Sequence, residues 1–319
     1  MQDKQSDSTL HGEYCVSETK NISHSVFEKL KSKSKLEKIS LDYMLLRYAI
    51  ERLLYRISIS KYKSKLVLKG ANLFYVWTGE RARMTKDVDL LSNMIPDIEE
   101  LNLIMKEICS IDTFLTDGLS YDKNNISINE IRENQIYGGL RVNLACSLHT
   151  AVIRIQVDIG FGDSVYPETE LIEYPTILKM EKPVLMSYSR YTVVAEKFDA
   201  MIQLGIANSR MKDFFDIWYM TSLFDFKGQV LQTAIKRTFL KRGTKMPVSI
   251  PLCFSDVFKI DAQKNTQWKA FILKSDMKIE VPDFETVVEL ISGFIMPIVN
   301  ADMNAEEYNK NWNSGKGWM

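Results

Sequence analysis

Cysteine and histidine are scarce in this chain of 319 residues, four of the first and three of the second. Cys15, Cys109, Cys146 and Cys253 show no Cys-x-x-Cys spacing, which argues against a zinc site and a disulfide framework. His149 has no partner motif and is assigned a structural role. Net charge is lacking too: Lys plus Arg equal Asp plus Glu at 41 each. No global positive field marks a nucleic-acid binder, so any RNA contact has to come from a local patch. No uninterrupted run approaches the ~20 apolar residues of a membrane span. The polar, mixed-charge stretch from Met1 to Asn21 lacks the apolar centre of a signal peptide, and a reducing cytoplasm is the expected compartment. Repeats and low-complexity tracts are missing as well. What is present, 45% hydrophobic and 26% charged residues, supports a substantial core in two domains or one large one.

The informative stretch runs from Lys69 to Asp89. It reads Lys69-Gly70-Ala71-Asn72, an apolar segment to Trp77, then Arg83, Thr85, Lys86, Asp87, Val88 and Asp89. On an extended segment, alternation points Asp87 and Asp89 to one side while Val88 and Leu90 feed the interior. Two carboxylates so placed can grip hard cations such as Mg²⁺, which bind through one or two carboxylates plus substrate phosphates. A third acid is predicted in Ile153-Arg-Ile-Gln-Val-Asp-Ile159. Its parity puts Ile153, Ile155, Val157 and Ile159 on one face and Arg154, Gln156 and Asp158 on the other. Asp158 therefore belongs to a polar face near a strand end, where open α/β sheets present their chemistry.

Local patterns predict the surrounding elements. Helices are expected over Ser25 to Glu37 and Leu41 to Ser58, bracing the sheet, with a strand at Leu66 to Leu68, a short helix at Asn72 to Trp77 and a strand at Lys86 to Leu91. Pro96 and Asp97 open a helix to about Cys109. Phe114 to Ser120, Gly138 to Ser147 and Ala151 to Ile159 alternate like antiparallel strands, so a mixed sheet is the expected core. Past Lys182 and Pro183 the pattern turns helical, with helices predicted over Tyr191 to Leu204, Lys212 to Leu223, Gln229 to Lys241, Thr266 to Leu273 and Glu285 to Ile295. The expected organisation is thus a leader over residues 1–21, an α/β (α+β) domain over 22–182 and a mainly α-helical C-terminal domain over 183–319. Trp312 and Trp318 are expected to staple the tail to the body.

Taken in order, these residues resemble the polymerase-β type nucleotidyltransferase superfamily and, within it, the AbiEii toxin family, which includes the MenT toxins. That family shows a Lys-Gly-Gly step, Arg-x-Thr-x-Asp-x-Asp, a strand ending in Val-Asp-Ile-Gly-Phe-Gly-Asp, a helical Glu-Lys and a basic step before Asp-x-x-Asp. The chain matches with Lys69-Gly70, Arg83 to Asp89, Val157 to Asp163, Glu196-Lys197 and Arg210 to Asp216. Further likeness lies in Phe239 to Thr244 and Gln267 to Phe271, so the resemblance spans most of residues 40 to 275. Ala71 departs from it, standing where the family has a second glycine. A loop needing positive φ there would be disfavoured.

The resemblance implies a metal-dependent enzyme of a toxin–antitoxin system, of the abortive-infection and phage-defence kind. The implied reaction moves a nucleoside monophosphate from a nucleoside triphosphate to an RNA acceptor such as the 3′ end of tRNA, releasing pyrophosphate. A cognate antitoxin would be encoded alongside. Asp87, Asp89 and Asp158 are the implied metal ligands, two Mg²⁺ ions being expected, and Asp158 is alternatively the base for the attacking hydroxyl. Gly70 would let backbone approach the triphosphate, with Lys69, Asn72, Arg83, Thr85, Lys197 and Asp216 as further nucleotide contacts. Asp213 and Asp216 would orient Lys197 or Arg210. Other readings stand beside these. Lys197 with Asp213 also fits a surface ion pair, and Lys69 a solvated strand end. Lys236, Arg237, Lys241, Arg242 and Lys245 fit either an RNA-backbone patch or a solvated helix end closed by Gly243. Transfer to a protein hydroxyl, or a nucleotide-binding module without turnover, remain as alternative functions.

Overall fold

The computed structural model of the chain describes residues 10–79, 83–131, 138–275, 277 and 279–319, with side chains from residue 21 onward. In chain order the helices are α1 (Leu10–Glu37), α2 (Leu41–Ile59), α3 (Asn72–Thr78), α4 (Ile98–Cys109), α5 (Phe114–Asp117), α6 (Arg190–Leu204), α7 (Met211–Leu223), α8 (Gly228–Arg242), α9 (Asp256–Lys259), α10 (Ala262–Lys274) and α11 (Phe284–Met303). The strands are β1 (Leu66–Lys69), β2 (Asp87–Ser92), β3 (Ser120–Tyr121), β4 (Ser127–Ile131), β5 (Gly139–Leu148), β6 (Ala151–Phe161), β7 (Glu170–Glu173), β8 (Val184–Ser187), β9 (Phe226–Lys227), β10 (Asn311–Asn313) and β11 (Gly317–Trp318). Two compact units interleave along the chain. The first comprises residues 1–72, 86–161 and 171–186, the second residues 73–85, 162–170 and 187–319. The last crossing lies four residues past the expected boundary after Lys182, and two short segments of the expected 22–182 domain group with the second unit.

The first unit is built on an eight-stranded mixed sheet in the order β3-β5-β6-β2-β1-β8-β7, with β4 also paired to β5. The central pair β2 and β6 is parallel and the neighbours β1–β2 and β5–β6 are antiparallel. Alternation along β6 separates buried Ile153, Ile155, Val157 and Ile159 from the polar face, as the sequence predicts. Ser40 starts α2 by accepting from the Tyr43 N–H. The helix packs on β6 and buries Tyr48, Ala49, Leu53, Leu54 and Ile57 completely. It also carries three buried ionisable side chains. Arg56 Nη1 lies 2.7 Å from Asp117 Oδ2, Arg52 Nη1 donates to the Glu181 carbonyl, and Glu51 Oε2 accepts from the Ile177 N–H at 2.6 Å. Buried charges persist only when partnered in this way.

Two expectations in this unit are corrected. The residues taken as a polar leader are helical from Leu10, as the N-terminal turns of α1. Of the strand expected over Phe114 to Ser120, only Ser120 is extended, as the start of β3. Asp112 Oδ1 accepts from the Phe114 N–H, the chain makes the single helical turn α5, and Gly118 closes it at φ 69°. Local capping and a left-handed glycine thus outweigh the apolar alternation.

The second unit is mainly α-helical. Its core gathers Phe198, Phe214, Phe215, Phe226, Phe239, Phe258, Phe284 and Phe294, all buried. Helix α11 runs past the expected end at Ile295, through Pro297, because Ile298, Val299 and Ala301 continue its buried stripe. That burial outweighs the lost proline hydrogen bond. By length and composition α11 is long and apolar enough to cross a membrane, although Glu285 and Glu289 interrupt its apolar run. In the fold it is a core helix, with Val287, Val288, Ile291, Phe294 and Ile295 fully buried. The unit also contains a three-stranded sheet, β11-β10-β9, that the sequence does not predict; strands of two or three residues are too short to show alternation. The two tail tryptophans do staple the chain end. Trp312 Nε1 donates to the Thr221 carbonyl and Trp318 Nε1 to the Phe294 carbonyl, with Trp318 stacked on the Phe294 ring.

Candidate active site

The polar face of the first unit's sheet carries the three acids. In the parallel register of β2 and β6, Asp89 lies opposite Asp158 and Asp87 opposite Gln156, while the intervening Val88 and Val157 are both buried. Side chains of paired residues share a face, so Asp87, Asp89 and Asp158 all belong to the same surface. Following the register outward, Arg141 of β5 sits beside Asp158, and Lys69 of β1 sits beside Asp89. One row across the sheet therefore reads Arg141, Asp158, Asp89, Lys69, an alternation of cation, two anions and cation.

Gly70 follows this row in the left-handed region at φ 71°. A Cβ at that position would lie 2.1 Å from Asp89 Oδ2, so the Asp89 carboxylate occupies the space over the glycine. The glycine thus seats an acid as well as making a turn. Asn72 is 3% exposed and hydrogen-bonded at both ends of its amide. Its Nδ2 donates to the Asp87 carbonyl at 2.9 Å and its Oδ1 accepts from the Tyr174 hydroxyl at 3.2 Å. The expected nucleotide contact is here a brace that fixes the start of β2. Thr85, half-buried, precedes that strand by two residues.

Asp158 is held from the side of β5. Arg141 makes a bidentate pair with it, Nε to Oδ1 and Nη2 to Oδ2, both at 2.8 Å, and Gln156 Nε2 lies 3.2 and 3.3 Å from the same two oxygens. Neither Arg141 nor Gln156 stands out as a site residue in the sequence. Parity along β5 and β6 is the signal that could have found them. Asp87 and Asp89 are a pair of oxygen donors suited to a hard cation. Among the described residues, no group of three or more acids, histidines or cysteines is gathered to hold a metal ion. Both oxygens of the third expected ligand, Asp158, are engaged by Arg141.

The second unit brings together the remaining expected residues. Lys197 of α6 lies 2.8 Å from Asp213 Oδ1 and 2.7 Å from Asp216 Oδ2, both on α7. Arg83 grips Asp216 in a fork, Nε to Oδ1 at 2.8 Å and Nη2 to Oδ2 at 2.9 Å, and Arg210 Nε lies 2.9 Å from Asp213 Oδ2. Both acids are buried, at 1% and 0% exposure, so the alternative of a surface ion pair is excluded. Burial pushes the Asp216 carboxyl up, but Arg83 and Lys197 outweigh it and hold the group down at about 2. The same balance lowers Asp213, and its converse raises Lys197 against the effect of burial. The array is a closed network of two acids and three cations. Arg83, expected on the resemblance as a nucleotide contact, is one of its members.

Further motif residues of this unit converge on Arg242. Its guanidinium reaches Asp163, Glu196 and Asp199 at 2.9, 2.9 and 3.1 Å. Tyr188 adds a hydroxyl donated to Glu196 at 3.2 Å. The basic stretch of α8 is therefore split. Arg242 turns inward, Lys236 pairs with Asp302, Arg237 lies over the Tyr166 ring at 4.4 Å, and Lys241 and Lys245 are exposed. Trp268, in the last stretch of likeness, donates to the Pro282 carbonyl and packs on Phe284.

A mixed sheet with acids on adjacent parallel strands, flanked by cations and a glycine turn, has the chemistry of a nucleotide-transferring protein. The sequence pattern described as "Nucleotidyl transferase AbiEii toxin, Type IV TA system" matches residues 52–290, three quarters of the chain. The chain belongs to the AbiEii nucleotidyl transferase toxin family. Membership makes it a transferase of a toxin–antitoxin system, with a nucleotide substrate and an antitoxin partner. No curated protein matches it in sequence. Among solved structures, it is similar to a candidate nucleotidyltransferase from H. pylori at 12% identity and TM-score 0.47, covering 85% of this chain and 100% of that one. It is also similar to JHP933 from Helicobacter pylori at 13% identity and TM-score 0.43, covering 83% and 98%. With both TM-scores below 0.5, neither likeness carries weight here.

Proposed function

We propose that the chain transfers a nucleoside monophosphate from a nucleoside triphosphate to a hydroxyl of an RNA acceptor, with tRNA 3′ ends as the first candidate. The observation that carries this reading is the shared face of Asp87, Asp89 and Asp158 on the paired strands β2 and β6. Asp87 and Asp89 would hold Mg²⁺, which when bound supplies charge neutralisation at the phosphate under attack. The acceptor oxygen forms a bond to the α-phosphorus as the bond to the β-phosphate oxygen breaks, and pyrophosphate leaves. The hydroxyl proton passes to a carboxylate oxygen of Asp158 once that oxygen is released from its hydrogen bonds. Gly70 and Asn72 act by position, the one seating Asp89 and the other fixing the backbone of Asp87. Lys69, beside Asp89 in register, supplies a cation for the triphosphate. Lys197, Asp213, Asp216 and Arg83 keep α6 and α7 in one arrangement, as a buried charge network does when every member is paired.

The test is to incubate purified protein with Mg²⁺, each α-³²P nucleoside triphosphate in turn and total tRNA, beside the Asp87→Ala variant. Label in tRNA that depends on Asp87 is the expected result, and the productive nucleotide identifies itself. Label in protein would move the acceptor to a protein hydroxyl. No label with any nucleotide would point to a binding module without turnover.

A further inference from the structure

The expected third ligand, Asp158, is already engaged in the fold. Both oxygens of Asp158 accept from Arg141 at 2.8 Å, and both lie within hydrogen-bond reach of Gln156. A carboxylate in a bidentate guanidinium pair, with one further amide nitrogen shared between its oxygens, has little capacity left for a metal or a proton. The pair is not sealed, however. The Arg141 side chain is 39% exposed and that of Asp158 17%, against 2% and 0% for the structural pair of Arg56 and Asp117 in the same unit. An exposed guanidinium can exchange partners at little cost, because water and other anions compete for it.

We propose that Arg141 is a positioning residue that holds Asp158 in reserve and releases it when the phosphates of a nucleoside triphosphate bind. The inference rests on the reading of Asp158 as a participant in transfer. Its chemistry is an exchange of anions. The planar fork of arginine fits a phosphate as well as a carboxylate, and a triphosphate brings more charge than Asp158. As the guanidinium moves to a phosphate oxygen, Asp158 is left beside Asp89 with Gln156 as its remaining donor, and the lone pairs that Arg141 held are open to the metal or to the acceptor hydroxyl. Before nucleotide binds, the guanidinium's positive charge also opposes a divalent cation at the acidic row. Metal and nucleotide would then bind together more readily than metal alone.

Two equilibrium measurements test this without turnover. The first titrates Mn²⁺ alone, read by the loss of free-ion paramagnetic signal. The second measures the dissociation constant of each of the four nucleoside triphosphates. In Arg141→Gln, Mn²⁺ binding should tighten about tenfold or more, since a repelling charge is removed. Nucleotide binding should weaken about tenfold, the scale of a lost charge-assisted hydrogen bond. Adding Asp158→Asn to that variant should abolish the gain in Mn²⁺ affinity. The opposed directions are the signature, because an arginine that merely supports the strand would weaken both. Mn²⁺ affinity in Arg141→Gln that is unchanged or lower overturns the proposal. If Arg141→Gln does not fold, Arg141→Lys decides. It keeps the charge but loses the fork, so nucleotide binding should weaken while the fold is kept, and nucleotide binding at the wild-type level overturns the proposal. The Mn²⁺ titration needs neither nucleotide nor acceptor, so failure of RNA labelling and failure of this exchange are separate results.

Discussion

Replacing Gly70 by alanine separates two consequences of one methyl group. At φ 71° the new side chain would sit in the left-handed region, at a backbone cost of roughly 1–2 kcal/mol. Its Cβ would also fall 2.1 Å from Asp89 Oδ2. To reach even 3.0 Å, a separation that real Cβ atoms rarely undercut, the carboxylate has to withdraw by about 1 Å. Misplacement of a catalytic group by that distance can cost on the order of 100-fold in rate. Gly79→Ala is the matched control, with φ 69° and no atom within 4 Å of the added Cβ. Both variants should lose a few degrees of thermal stability from backbone strain. Only Gly70→Ala should lose about 100-fold in the rate of α-³²P label transfer, while Gly79→Ala stays within a few-fold of wild type. Equal loss in the two variants, or wild-type transfer by Gly70→Ala, would refute the seating of Asp89 over Gly70 as a requirement for activity.

Two further predictions concern buried charges. Arg83→Met removes the fork on Asp216 and leaves that acid buried with only Lys197 beside it. Stability at pH 7 should fall by about 3–5 kcal/mol, measured by denaturant unfolding. Asp216 is held down at about 2 from 3.8, so its contribution is present above pH 3.8 and lost as pH falls through 2. In Arg83→Met that acid loss should begin at a higher pH, since the countercharge with the larger effect on Asp216 is gone. Glu51 has the opposite sign. Burial pushes its carboxyl up to about 7 from 4.5, against the Ile177 N–H and Arg52. Its protonated form favours the fold at low pH, and that stability is lost as pH rises from 4.5 through 7, by roughly 3 kcal/mol. Glu51→Gln should match wild type near pH 4.5, exceed its stability at pH 8, and flatten the slope between. A parallel pH profile for the two proteins would count against the buried-acid account.

What the sequence could and could not reveal follows the range of the interactions. The alternation of Asp87 and Asp89 and the parity of Asp158 are local, and each places its side chain on the expected face. The pairing of Asp89 with Asp158 depends on strand register across two intervening helices and three strands, which no local pattern fixes. Arg83 and Asp216 are 133 positions apart, so the fork that occupies the arginine has no local signature. Gly70 is legible as a turn residue, but the carboxylate above it is tertiary information. The basic stretch of α8 shows the same limit. Its composition does not reveal that Arg242 turns toward three acids while Lys241 and Lys245 stay exposed. Phe114 to Ser120 failed for a different reason, since a two-residue capping pattern and Gly118 outweighed a plausible strand pattern.

The central claim is that the acid face of β2 and β6 performs nucleotide transfer. The most direct measurement is the rate of α-³²P label transfer to RNA by Asp89→Asn, which keeps the shape of the side chain over Gly70 and removes its charge. The account predicts a loss of about 100-fold or more, the scale for removing one group that stabilises the developing charge, in a protein whose thermal transition shows it to be folded. Label transfer at the wild-type rate by a folded Asp89→Asn protein would contradict it.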